Sequence, residues 1–237
     1  MAHQRAVELA LGTAHNEYKA YSDYAALLRL LDRDEEALAE STAALEAAKR
    51  TGMDIIVHMA SVTLAGTLLG RGDIEGAAAV AEEAIRTSAA GTRGDAQRAR
   101  GMVLRALCAV RRGDSAAARA DLDAAWPLLA PLANSTLLVG PVSALASWWA
   151  VASRVNAAQG DLSVATEAMG ESVRLRRVVA QAPQVQGPYT QNSLAGSLAR
   201  YAVALLAAGD PAAAESAYDE STAIRASLGL PPITLPE

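Results

Sequence analysis

The sequence predicts an all-α chain of about five helix-turn-helix repeats, and three observations carry that prediction. The first is composition. Alanine and leucine, both strong helix formers, dominate the 237 residues, whereas three tryptophans, six tyrosines and no phenylalanine leave little aromatic material for strands. The second is a recurring turn, a small or polar pair followed by an acidic or alanine-rich helix start, which begins at Asp32, Gly72, Gly113, Gly160 and Gly209. These starts lie 40, 41, 47 and 49 residues apart. The third is a pair of columns locked to the turns. Alanine follows each turn start by five residues, at Ala37, Ala77, Ala118, Ala165 and Ala214. A small residue precedes it by seven, at Ala25, Ala65, Ala106, Ser153 and Ala202. Small side chains at both places let the two helices of a hairpin approach near the short end of the ~8–10 Å range.

Each element follows from local chemistry. Glycine ends a helix in the left-handed conformation. The aspartate after it offers a carboxylate to cap the next helix, and Pro211 suits a first turn, where no amide bond is lost. The first helices are predicted over about 17–31, 54–71, 95–112, 141–159 and 190–208. The second helices are predicted over about 34–50, 73–90, 114–130, 161–179 and 210–227. The hairpins are thus 17–50, 54–90, 95–130, 141–179 and 190–227, in one repeat domain over 1–229. Gly12 lies 20 residues before Asp32 and 40 before Gly52, so residues 3–11 read as the stub of an earlier second helix. That stub suggests a piece of a longer array. Residues 230–237 form a proline-rich tail, which stops helix formation.

Composition also excludes function classes. A net charge of -5 argues against nucleic-acid binding, which needs a basic face. One cysteine, Cys108, cannot form an internal disulfide and suits a reducing cytoplasm, as a small buried hydrophobe. The uncharged stretch between Asp123 and Arg154 is broken by Pro127, Pro131, Gly140 and Pro141, which disfavours a membrane span. The N-terminal apolar stretch is too short and mixed for a signal peptide. His3, His15 and His58 show no metal-ligand spacing. Asp54 and His58, four apart, read as a helix-start interaction rather than a catalytic dyad. Three Arg-Gly-Asp triplets, at 71–73, 93–95 and 112–114, read as turn punctuation. Of Trp148 and Trp149, which diverge on a helix, one should be core and the other an exposed anchor. No phosphate loop, nucleophile elbow or C-x-x-C occurs, so neither enzyme activity nor a cofactor or metal is expected.

The small first-helix residue, the glycine turn and the alanine five residues later resemble the tetratricopeptide repeat (TPR) family across nearly the whole chain. Larger residues agree in part: Tyr21, Tyr24 and Leu28, then Leu64 and Leu68, Trp149, Tyr201 and Tyr218. The period exceeds the family's usual length, and Arg105 stands where a core leucine is expected. The style of segments such as DRDEEALAESTAALEAAKRTGM is also similar to the C-terminal arrays of large bacterial signal-responsive ATPases and transcriptional regulators. The resemblance implies a right-handed superhelical solenoid with first helices on its concave side. It implies a protein-interaction scaffold that grips a protein or peptide segment. The alternative is a sensor or self-association arm of a larger regulator, and a remote one is an all-α enzyme with an unrecognised site.

Charge sharpens that implication. The first helices hold ten basic residues to four acidic, and the second helices nineteen acidic to eight basic. The inner wall is therefore predicted to be positive, and its partner acidic. Groove-facing positions at helical spacing are Lys19, Ser22, Ala26 and Arg29, then Met59, Val62 and Leu69. They continue as Arg100, Val103, Leu107 and Arg111, then Ala150 and Arg154, then Ala199, Val203 and Leu206. Of these, Lys19, Arg29, Met59, Val62, Arg100, Leu107, Arg111 and Arg154 are the candidate binding residues. The family's carboxylate clamp is not expected: its places hold Ser22, Ala26, Thr63, Arg100 and Leu104, and only Arg100 could serve.

Overall fold

The computed structural model describes residues 14–88, 92–132 and 139–234, and all regular structure among them is helical. The predicted stub at 3–11, with His3 and Gly12, lies outside the described residues, as does most of the entry loop 131–141. Backbone contacts group the chain into two compact units, Met1–Arg112 and Gly113–Glu237. Unit 1 contains α1 (Ala14–Leu30), α2 (Asp34–Arg50), α3 (Asp54–Gly70), α4 (Ile74–Arg86) and α5 (Thr92–Arg111). Unit 2 contains α6 (Ser115–Leu129), a 3-10 turn (Ala130–Leu132), α7 (Val139–Ala158), α8 (Leu162–Gln181), α9 (Pro188–Ala207) and α10 (Pro211–Ser227). Consecutive helices pack closely within each unit.

The turns form as their residues dictate. Gly72, Gly113, Gly160 and Gly209 all have positive φ, and at the first turn Asp32 takes the same left-handed conformation at φ 54°. A short polar side chain tolerates that region better than most. The carboxylates of Asp73, Asp114 and Asp210 accept the backbone N–H of Gly76, Ala117 and Ala213 at 2.9, 2.9 and 3.0 Å. Asp161 occupies the equivalent place but makes no such cap bond.

Both small-residue columns are core. Ala37, Ala77, Ala118, Ala165 and Ala214 are each 2% exposed or less, and the partner column of Ala25, Ala65, Ala106, Ser153 and Ala202 is buried too. With only a methyl group or a hydroxymethyl group at these places, larger residues fill the space around them. In unit 1 they are Leu64, Leu68 and Leu69 around Ala65 and Ala77, and Tyr18 and Ile56 beside Ala44 and Ala48. In unit 2 they are Leu194, Leu198 and Leu205 around Ala202 and Ala214. Gly101 marks an especially close approach of α5 to α4. A methyl group there would lie 2.7 Å from Ile85 Cγ1.

Arg105 shows how a charge fits where leucine was expected. Its side chain is 34% exposed and its guanidinium lies 3.7 Å from Glu82, so it leans over the core edge with its charge outward. Trp148 is buried and donates its indole N–H to the Leu122 carbonyl at 2.9 Å. Trp149 is half-buried and meets Trp148 edge-on at 4.9 Å, while Trp126 lies 4.7 Å from Trp148. The three rings pack on one another, with Trp126 the most exposed. No helix among the described residues is long and apolar enough to cross a membrane.

Candidate binding surface

In unit 1 the first helices stand side by side, α1 against α3 and α3 against α5. Lys19 is exposed on α1 and pairs with Asp23 one turn on, at 3.0 Å. Arg29 is half-buried and lies across α3 at Gly66, where its Nη1 sits 3.1 Å from the place a Cβ would occupy. A glycine at that point leaves room for the guanidinium. Met59 is 44% exposed. Val62 is half-buried beside it on the same helix. On α5, Arg100 and Leu107 are half-buried and Arg111 is exposed. Leu107 also packs on the cluster that holds Leu64 and Ala65, so only part of its surface is available. Two further groove expectations need correction: Leu69 and Val103 are 7% and 4% exposed and belong to the core. Their helices turn those positions toward neighbouring helices instead of outward.

Arg100 brings a second group into view. Its charge acts on both His58 of α3 and Tyr18 of α1. His58 is 3% exposed, and neither ring nitrogen makes a well-formed hydrogen bond. Burial, reinforced by the Arg100 charge and only weakly offset by the Ala84 carbonyl, lowers its pKa to about 4. The imidazole is therefore neutral near pH 7. Asp54 is exposed, and no dyad forms with His58. Burial likewise pushes the Cys108 thiol up, away from thiolate chemistry. Among the described residues, no group of three or more histidines, cysteines and acids could hold a metal ion.

Unit 2 is built differently on the corresponding side. The first helices α7 and α9 lack the close backbone approach seen between α1, α3 and α5. A cavity of about 420 Å³ opens there, lined by α7, the start of α8, α9 and the tail residues Ile233 and Thr234. Its apolar lining includes Met169, Ala199 and Val203. Two arginines, Arg154 of α7 and Arg200 of α9, also line it. Arg200 is exposed and donates to the Gly196 carbonyl of its own helix at 3.1 Å. The tail is tied to α10: Tyr218 donates its hydroxyl to the Ile233 carbonyl at 2.9 Å, and Arg225 donates to the Pro231 carbonyl.

Of the expected binding residues, the structure places Arg154 in this cavity. Val203, an expected groove position, joins it there, and Ala199 lines it although 2% exposed overall. Leu206 stands 51% exposed. Sequence reasoning missed Arg200, Met169 and Ile233. Helical spacing could have found Arg200, four residues after Gly196, because that glycine leaves its guanidinium room to lie back along the helix. Nothing in the local sequence signals that the tail returns to the repeats.

No protein-family model matches the sequence, and no curated protein matches it either. Solved structures do. BtubC (BKLC) from P. vanneervenii aligns over 100% of this chain and 93% of its own, with 18% identity and a TM-score of 0.61. A Podosopora anserina protein named for kinesin light chain, with nearly identical TPR-like repeats, covers 89% of this chain and 95% of its own. Its identity is 16% and its TM-score 0.50. The likeness lies in the three-dimensional path of the helices, and it makes this chain an all-α helical repeat of the TPR-like kind.

Proposed function

We propose that the chain is a protein-interaction scaffold that binds an acidic, partly apolar segment of a partner against its first helices. One observation carries this reading: in each unit, cationic side chains with surface access alternate with accessible apolar ones on the first helices. In unit 1 these are Lys19, Arg29, Arg100 and Arg111, interleaved with Met59, Val62 and Leu107. In unit 2 they are Arg154 and Arg200 with Val203. Arginine recognises carboxylates through paired hydrogen bonds, and the apolar positions supply contact area. Alternation of this kind suits a ligand that alternates acidic and apolar residues.

The test is capture on immobilised peptides that alternate glutamate and leucine, at low and high salt, compared with glutamine–leucine controls. The intact protein is expected to be retained by the acidic series and released by salt. Arg100→Glu and Arg154→Glu are each expected to weaken retention. Equal retention by acidic and neutral series, or by both variants and the parent, refutes the reading.

A further inference from the structure

We propose that residues 230–234 form an internal strap, seated where the partner segment would lie on unit 2, so that the segment must displace it to bind. This rests on the proposed function and adds how access to that surface is controlled.

The strap begins in local sequence. Gly229 ends α10 at φ 70°, and the Leu230 N–H closes on the Arg225 carbonyl at 2.9 Å. Pro231 and Pro232 then stop any further helical turn and keep the chain extended. Its seat is made by side chains of α10. Tyr218 donates its hydroxyl to the Ile233 carbonyl at 2.9 Å, and Arg225 donates Nε to the Pro231 carbonyl. In the preceding hairpin, 49 residues earlier, the same positions serve differently. Tyr218 stands where α8 has Met169, which has no hydroxyl to donate. Arg225 stands where α8 has Arg176, whose Nη groups reach Ser143 and Ser147 of α7. Arg225 gives Nη1 to Asn192 of α9 and Nε to the tail. Both donors meet main-chain carbonyls, so the seat recognises an extended backbone.

The position of the strap makes it an obstacle. Ile233 and Thr234 line the same cavity as Arg154, Arg200 and Val203, the unit 2 residues that the proposed function assigns to the partner. Two segments cannot fill that space at once. The tail also shares the chemistry expected of the partner, since Leu230, Ile233 and Leu235 are followed by Glu237. Its hold is light: Ile233 is half-buried, whereas Pro231, Pro232 and Thr234 are exposed. A surface open only part of the time binds more weakly in proportion to the open fraction. Loosening the strap should therefore tighten ligand binding without unfolding the repeats.

The experiment measures a labelled peptide of alternating glutamate and leucine by fluorescence anisotropy, at low salt, on the full chain and on two variants. Tyr218→Phe removes one bond to the strap, and Ile233→Ser removes its half-buried side chain. Each is expected to raise affinity by about three- to ten-fold, with the circular dichroism spectrum unchanged. If Tyr218→Phe fails to fold, Ile233→Ser decides the matter, because it lies outside the helices. A second arm adds an unlabelled synthetic peptide of residues 230–237 to the Ile233→Ser chain. It is expected to take the loosened seat and displace the labelled peptide. Affinity unchanged or weakened by Ile233→Ser makes the tail a spectator or a wall of the binding surface and overturns the strap. Failure of the tail peptide to displace the label also overturns it. In both cases binding by the parent leaves the scaffold reading standing. No binding by the parent or by either variant overturns both.

Discussion

Units 1 and 2 are assembled from the same helical parts but are tied together by different chemistry. The column seven residues after each turn alanine shows it. The positions are Ala44 and Ala84 in unit 1, then Ala125, Ser172 and Ser221 in unit 2, and all five are buried. In unit 2 the two serines each donate to a carbonyl 26 residues upstream, Ser172 to Ala146 and Ser221 to Ala195, both at 2.8 Å. Four residues further on, Arg176 reaches Ser143 and Ser147, and Arg225 reaches Asn192. The second pair of bonds therefore repeats the first after 49 residues. Unit 1 has Ala48 and Ser88 at those arginine positions. It holds a buried hydroxyl pair, Ser41 with Thr67 at 2.9 Å, and its repeated tie is an ion pair at the surface. Arg71 meets Glu35 at 2.5 Å and Arg112 meets Glu75 at 3.2 Å. A buried hydroxyl–carbonyl bond fixes the register of two helices with little dependence on salt. Exposed ion pairs add little and are screened. The first helices differ in the same sense: they are close-set in unit 1 and leave a cavity in unit 2.

The contrast can be broken at several strengths. The largest effects should come from emptying each core. Leu28→Ala in unit 1 and Leu198→Ala in unit 2 remove fully buried side chains, and each should cost about 2–5 kcal/mol in urea unfolding. Amide exchange should then show the loss of protection concentrated in the mutated unit.

Next is a pH response confined to unit 1, because all three histidines, His3, His15 and His58, precede residue 113. The folded-state pKa of His58 is about 4, below its ordinary value of 6.5, so the unfolded chain binds the proton more readily. This contribution to stability is whole above pH 6.5 and is lost as pH falls toward 4. The loss amounts to about 3 kcal/mol. His58→Leu should flatten that part of the stability profile measured by urea midpoints at successive pH values. An unchanged profile would exclude His58 as its source.

Smaller still is the buried-serine tie. Ser172→Ala and Ser221→Ala should each lower stability by about 1 kcal/mol, the net worth of one such hydrogen bond. That loss should be the same at low and high salt. Smallest is the surface tie of unit 1. Arg71→Ala should cost roughly 0.2–1 kcal/mol, and the difference from the parent should vanish in high salt. If the serine variants responded to salt as Arg71→Ala does, the distinction between the units would fail.

The sequence by itself determined the helical class, the turns and the two small-residue columns. Each is a local matter: a glycine or short polar residue that accepts positive φ, a carboxylate three residues before an amide, a methyl group where two helices meet. Ala37, Ala77, Ala118, Ala165 and Ala214 could be placed in the core from spacing alone because the hairpin repeats. Candidate cationic positions were legible too, since helical period and charge put Arg29, Arg100 and Arg154 on first helices. Only the tertiary structure decided which of the apolar neighbours stay accessible. Leu69 and Val103 have the same spacing as Met59 and Val203, yet packing against adjacent helices covers the first two and not the second. It also decided that His58 is buried without a well-formed hydrogen bond, that Ser172 finds a carbonyl, and that α7 and α9 leave a cavity that Ile233 helps to wall. Those outcomes depend on the separation and rotation of helices distant in sequence. Local spacing sets which face a residue occupies; it does not set how near the next helix comes to that face.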